Sequence, residues 1–93
     1  PGAVPSKLYE AMASGKPIVL VAEGEPATIL QQHNAGLVVH PGDITSLVEA
    51  LRQLRDAPQT RDEMGRNGRL AAEEHFNREK IVADFMTHLE NHA

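Results

Sequence analysis

The sequence predicts an α/β fold that is rich in helices and contains about two strands of a parallel sheet. Two short apolar runs, residues 18–21 and 37–39, have the unbroken pattern of strands that are covered on both faces. Segments with helical periodicity flank both runs, and glycine and proline residues separate the segments. The resulting order, α-β-α-β-α-α-α, is that of one half of a doubly wound domain.

The first helix and the strand after it organise the rest of the chain. Ser6 is expected to cap the helix, because its hydroxyl can accept bonds from the free N–H groups of the first turn, and Pro5 sets the entry. Gly15 ends the helix, since glycine adopts the left-handed conformation of a C-terminal cap, and Pro17 prevents continuation. Glu10 lies roughly opposite the apolar face, which consists of Leu8, Ala11 and Met12.

A loop, a second helix and the second strand follow. Gly24 or Glu25 is expected to cap this helix, and Pro26 fits near its first position, where a missing N–H costs nothing. Residues 34–36 end the helix. His40 comes after the second strand, and no carboxylate or serine stands at a spacing that marks it as a proton donor. We therefore expect His40 to be structural or merely exposed.

Three further helices are predicted in the C-terminal half. Asp43 caps the first, whose stripe is the most regular in the chain and consists of Ile44, Leu47, Val48, Leu51 and Leu54. Thr60 and Glu63 form a capping box for a helix to about His75, and two glycines inside it, Gly65 and Gly68, indicate close backbone packing or a kink. Asn77 restarts the last helix, whose apolar stripe consists of Ile81, Val82, Phe85, Met86 and Leu89.

Length and composition exclude several classes of protein. The 93 residues are enough for one small domain, and 41% apolar content is enough for its core. A net charge of −4 and only three aromatic residues argue against nucleic-acid binding. The absence of cysteine excludes disulfides and thiolate metal sites, and no apolar run reaches transmembrane length. We expect a cytoplasmic protein and, because the chain opens inside a motif, a segment of a longer one.

The opening helix has the features of a nucleotide site. A helix that begins at the carboxyl end of a strand directs its N–H groups, here near Ser6 and Lys7, at the ligand crevice, where they favour phosphate. Glu10, one turn further on, offers two acceptor oxygens that suit the 2′- and 3′-hydroxyls of a ribose. Taken alone, the same residue also fits an ordinary solvated carboxylate.

Four short segments in register resemble one enzyme family. The segment at 5–17, PSKLYEAMASGKP, is similar to the donor site of retaining, GT-B-fold glycosyltransferases of the glycosyltransferase family 4 type. The similarity continues at 23–25, at 35–43 and at 64–69, and so covers nearly the whole chain. By this resemblance residues 1–93 are part of the C-terminal, nucleotide-sugar-binding domain, the second half of a Rossmann-like parallel sheet.

The resemblance implies donor-binding roles for four residues. Glu10 takes the place of the second acid of the family's Glu-x7-Glu motif, which holds the ribose, whereas Gly2 stands where the first acid would be. Ser6 and Lys7 match the segment beside the donor diphosphate. Glu25 lies near the donor, although a carboxylate there also stabilises the positive end of a helix. No catalytic residue falls within the chain.

The implied function is transfer of a sugar from a nucleotide-sugar donor to a saccharide or lipid-linked acceptor, as in polysaccharide biosynthesis. The resemblance implies no cofactor and no metal, and an acceptor domain N-terminal to this segment. It also implies that the isolated 93 residues are inactive. The longer enzyme is compatible with peripheral contact at the inner face of a membrane, and the last apolar stripe with self-association of the segment. The alternatives are a GT-B-type nucleotide-sugar 2-epimerase and a non-catalytic α/β interaction domain.

Overall fold

The computed structural model describes residues 3–92, with the side chains of residues 6–89, and six elements lie in this range. They are α1 (Ala3–Met12), β1 (Ile18–Val21), α2 (Glu25–Gln32), β2 (Gly36–Val39), α3 (Ile44–Arg55) and α4 (Pro58–His92). The two strands pair in parallel, with Ile18 opposite Gly36 and Val21 opposite Val39. The predicted helix-rich α/β fold with a two-stranded parallel sheet is therefore confirmed.

Helix α1 begins at Ala3, so Ser6 does not cap it as the sequence had indicated. Pro5 is the third helical residue, and proline is tolerated there because N–H groups of the first turn have no helical partner. The buried face also differs from the expected one. Tyr9 is 7% exposed and belongs to the core, whereas Ala11 is exposed. Ser6 and Lys7 consequently lie beyond the free N–H groups at the helix end.

The bounds of β1 agree with the sequence pattern, whereas Gly36, which was expected to help end α2, is the first residue of β2. Gly24 is the N-cap of α2, with φ 78°, and Pro26 occupies its first turn. Asn34 follows the helix with φ 50°, a left-handed conformation that asparagine tolerates better than most residues. Asn67 of α4 stabilises this turn, because its Nδ2 atom donates a hydrogen bond of 3.0 Å to the Asn34 carbonyl oxygen.

Helix α3 is capped as predicted but presents a different face to the core. Asp43 Oδ1 accepts a hydrogen bond of 3.0 Å from the Ser46 N–H. Ala50 and Leu54 are the buried residues of the helix. Three members of the predicted inner stripe are exposed instead, namely Ile44 at 73%, Val48 at 40% and Leu51 at 54%. The apolar side chains of α3 therefore occupy a wider part of the helix surface than the described residues bury.

The cap at Asp43 predicts a dependence of stability on pH. Hydrogen bonds from the Ser46 hydroxyl and N–H lower the pKa of Asp43 from its ordinary 3.8. The folded state thus favours the ionised carboxylate, and this contribution is present above pH 3.8 and lost as the pH falls through the folded-state pKa. We expect Asp43→Ala to lower the melting temperature at pH 7, and the difference from wild type to shrink as the pH approaches 3. An unchanged difference across this range would contradict the assignment.

Helix α4 is one continuous helix of 35 residues, not the two helices expected. Thr60 lies inside it, so the predicted capping box is wrong, and Asn77 does not interrupt it. No proline follows Pro58 and no glycine follows Gly68, so no strong helix breaker stands near Asn77. Near the start of α4, Arg61 joins the helix to α3, because its Nη1 donates to the carbonyl oxygens of Leu54 and Arg55 at the end of α3.

Helix α4 packs against α1, α3 and β2. Its glycines lie against the end of α1: a Cβ on Gly65 would meet the backbone at Gly15, and one on Gly68 would lie 3.3 Å from the Met12 carbonyl oxygen. Close backbone packing, one of the two expectations for these glycines, is what the structure shows. A buried core cluster joins α1 and α4 to α2 and to the residue before β2. It contains Leu8, Tyr9, Met12, Leu30, Ala35, Ala71 and Ala72.

Candidate functional site

Three of the four candidate donor-binding residues lie next to one another on the first helix. Ser6 and Glu10 are four residues apart and Lys7 and Glu10 are three apart, which makes each pair neighbours on a helix surface. Leu8, Tyr9 and Met12 face the core on the other side of α1. Burial of that face therefore directs Glu10 outward, between a hydroxyl and a cation.

The Glu10 side chain is exposed and makes no hydrogen bond or ion pair within the described part of the chain. Lys7 is also exposed, and Ser6 is half-buried. An exposed carboxylate without a protein partner keeps all its acceptor sites available for a ligand with hydroxyl groups. The expected outward direction of Glu10, opposite the apolar face, is thus what the structure shows.

A hollow of about 310 Å³ lies between the later turns of α1, β1 and the start of α2. Lys7 lines it together with Ala22 and Pro26, so the first helix and the loop after β1 meet at this point. Neither Ser6 nor Glu10 lines this hollow. Glu25 is exposed as the first residue of α2, directly before Pro26, and does not line the hollow either.

The side chains of Glu23 and His40 are in contact beyond the carboxyl ends of the two strands. Glu23 Oε1 lies 2.8 Å from His40 Nε2, and both side chains are largely exposed, at 61% and 72%. The expectation that His40 has no nearby carboxylate is therefore wrong. The two residues are far apart in sequence, but they follow neighbouring parallel strands, whose carboxyl ends meet at one edge. The predicted parallel pairing of the two strands could therefore have indicated that Glu23 and His40 lie close together.

Two kinds of feature are absent from the part of the chain that the structure describes. No group of three or more histidine, aspartate or glutamate side chains is placed to hold a metal ion there. None of the helices in residues 3–92 combines the length and the apolarity that crossing a bilayer requires. Gly2, where the resemblance places the first acid of the Glu-x7-Glu motif, lies outside the described residues.

The described residues form a helix-rich α/β segment with a two-stranded parallel sheet, and comparison with known proteins shows its family. Residues 2–71 match the family described as Glycosyl transferases group 1, to which this chain belongs. The chain is 31% identical over 80 residues to N-acetyl-alpha-D-glucosaminyl L-malate synthase of Bacillus anthracis. The match covers 86% of this chain but 21% of that relative, so the chain spans about a fifth of its length. No solved structure is significantly similar to the chain.

Proposed function

We propose that this chain supplies the ribose and diphosphate side of the donor pocket of a retaining, GT-B-fold glycosyltransferase. The longer enzyme would transfer a sugar from a nucleotide-sugar donor to a saccharide or lipid-linked acceptor. Membership of the glycosyl transferases group 1 family supports this reaction class. The single observation that carries the site is the Glu10 carboxylate, which is exposed, directed outward by the buried face of α1, and without a partner among the described residues.

In this proposal Glu10 binds and does not act as a base. Its two oxygens accept hydrogen bonds from the vicinal ribose hydroxyls, and Lys7, its neighbour on α1, lies on the side of the donor diphosphate. Ser6 supplies a hydroxyl on the other flank. Glu25, exposed as the first residue of α2, would contribute at the edge of the donor site.

Reaction with retention would depend on positioning and on stabilisation of the leaving diphosphate. Further basic groups for the diphosphate, beyond Lys7, and the acceptor site would come from parts of the enzyme outside this chain. The two parallel strands would form one side of a Rossmann-like sheet, to which the first half of the domain adds further strands beside β1. We propose a cytoplasmic enzyme that needs no metal for donor binding.

The role of Glu10 is tested by donor affinity in the enzyme that contains this chain. We expect Glu10→Ala to weaken nucleotide-sugar binding by about 1.5–3 kcal/mol, the size of a lost hydrogen bond to a charged group. Glu10→Gln keeps one acceptor oxygen and should fall between the alanine variant and wild type. Isothermal titration calorimetry measures all three.

The matched control is Glu49→Ala, which removes an equally exposed carboxylate from α3. It should leave the affinity unchanged. A panel of nucleotide sugars, read by thermal shift, first identifies the donor for these titrations. If Glu10→Ala binds the donor as tightly as Glu49→Ala does, Glu10 is not part of the site. If no nucleotide sugar binds and a protein partner does, the interaction domain is the better assignment.

A further inference from the structure

The first helix is held in place mainly by α4, and two separate contacts make this attachment. Near the C-terminal end of α1, Gly65 and Gly68 allow the backbones of the two helices to approach closely at Met12 and Gly15. One turn earlier, the ring of Tyr9 stacks on the ring of His75. The glycines fix the distance between the helices, and the stacked rings are the attachment adjacent to Glu10.

The stack has well-defined geometry. The centroids of the Tyr9 and His75 rings are 3.8 Å apart and their planes differ by 6°. Phe76 approaches the His75 ring edge-on, with centroids 5.3 Å apart and planes at 66°. Tyr9 is 7% exposed, so its ring lies between α1 and α4 and not at the surface. A flat contact of this kind resists rotation of α1 about its own axis.

We propose that His75 is a positioning residue for the donor site, acting on Glu10 through Tyr9. Tyr9 and Glu10 are consecutive residues of one helix, so a rotation that displaces the first displaces the second by the same angle. A side-chain tip about 5.5 Å from a helix axis moves by about 1 Å for a rotation of about 10°. A hydrogen bond tolerates only about half of that displacement before it weakens. This inference rests on the proposed role of Glu10 in donor binding.

Loss of the His75 ring should loosen α1 without unfolding the chain. Leu8 and Met12 remain buried against the core, and the glycine contacts at Gly65 and Gly68 are unaffected. The expected result is therefore a less precise Glu10 on an intact fold. His75→Phe keeps a flat ring on which Tyr9 can stack. His75→Leu keeps a side chain of similar bulk but removes the flat ring.

The test is a cycle of donor affinities in the enzyme that contains this chain. We expect His75→Ala and His75→Leu to weaken donor binding about three- to tenfold, the size of an aromatic stacking contribution, and His75→Phe to bind nearly as wild type. In the Glu10→Ala background the His75 substitutions should cause no further loss, because they act through that carboxylate. Leu70→Ala, which removes an exposed side chain from the same helix, is the control and should leave the affinity unchanged.

A second readout does not depend on the donor. This readout uses the 93-residue chain itself, which has one tyrosine and no tryptophan, so its near-ultraviolet circular dichroism reports mainly on Tyr9. His75→Leu should change that spectrum, and His75→Phe should preserve a strong tyrosine signal.

Three results would overturn the inference. The first is an affinity of both His75→Ala and His75→Leu equal to that of Leu70→Ala. The second is an additive loss in the Glu10→Ala background, and the third is an unchanged tyrosine spectrum in His75→Leu. An unchanged donor affinity in Glu10→Ala itself would instead remove the proposed function. The two failures are therefore distinguishable.

Discussion

Gly65→Ala is expected to destabilise the chain by at least about 3 kcal/mol, a large share of the about 5–15 kcal/mol that holds a typical domain folded. A Cβ at this position would lie 2.9 Å from the Gly15 carbonyl carbon and closer still to its oxygen. Both partners are backbone, so neither can move aside without separating α1 from α4. At a solvent-exposed helix position, replacement of glycine by alanine would instead raise the free energy of unfolding by about 1 kcal/mol, because alanine has the higher helix propensity.

Gly68→Ala is the matched control for this prediction, because it lies one turn further along the same helix. Its added Cβ would be 3.3 Å from the Met12 carbonyl oxygen and 3.4 Å from the Ala35 Cβ, which is tight but not a clash. We expect a change within about 1 kcal/mol of wild type, since propensity offsets the crowding. Urea unfolding of both variants measures the difference. Equal stabilities would contradict the close approach of the two helices.

Gly36→Ala is expected to have an effect of similar size on the sheet. A Cβ on Gly36 would lie 2.9 Å from the Ile18 carbonyl carbon, again with the oxygen nearer. Gly36 and Ile18 are the first pair of the parallel register, so the strands would have to separate where they begin to pair. We expect a loss of at least about 3 kcal/mol in the free energy of unfolding.

Gly42→Ala provides the comparison for the sheet variant. Gly42 has φ 89° and nothing near an added Cβ, so alanine there costs only the left-handed backbone strain of about 1–2 kcal/mol. Amide hydrogen exchange across β1 and β2 should accelerate in Gly36→Ala more than in Gly42→Ala. Equal protection of the strands in both variants would argue against the tight pairing of Ile18 with Gly36.

The sequence was informative at several boundaries that glycine, proline or a capping side chain marks, although the caps expected at Ser6 and Thr60 were wrong. The strand at Ile18–Val21, the cap at Gly24 and the cap at Asp43 were all predictable from local residue chemistry. The continuity of α4 through Asn77 was not, because asparagine is only mildly unfavourable in a helix and the packing that decides the matter is tertiary. Tertiary packing also decides which apolar side chains of α3 are buried, so periodicity alone could not predict its exposed side.

In the candidate site, too, some features were predictable from the local sequence and others depended on tertiary contacts. The outward direction of Glu10 follows from the spacing of Leu8 and Met12 along one helix, and was predicted. The stack of Tyr9 on His75 joins residues that are far apart in sequence, so no local sequence pattern could predict it. The contact of Glu23 with His40 was missed although the parallel topology was correctly predicted.

The central claim is that the Glu10 carboxylate binds the ribose of the donor. Its most direct test compares the donor's nucleoside diphosphate with the 2′,3′-dideoxy analogue, in the wild-type enzyme that contains this chain and in Glu10→Ala. Wild type should prefer the ribose form by about tenfold or more, and the variant should bind both forms with nearly equal affinity. The same preference in both proteins would show that another group recognises the ribose, and would contradict the claim.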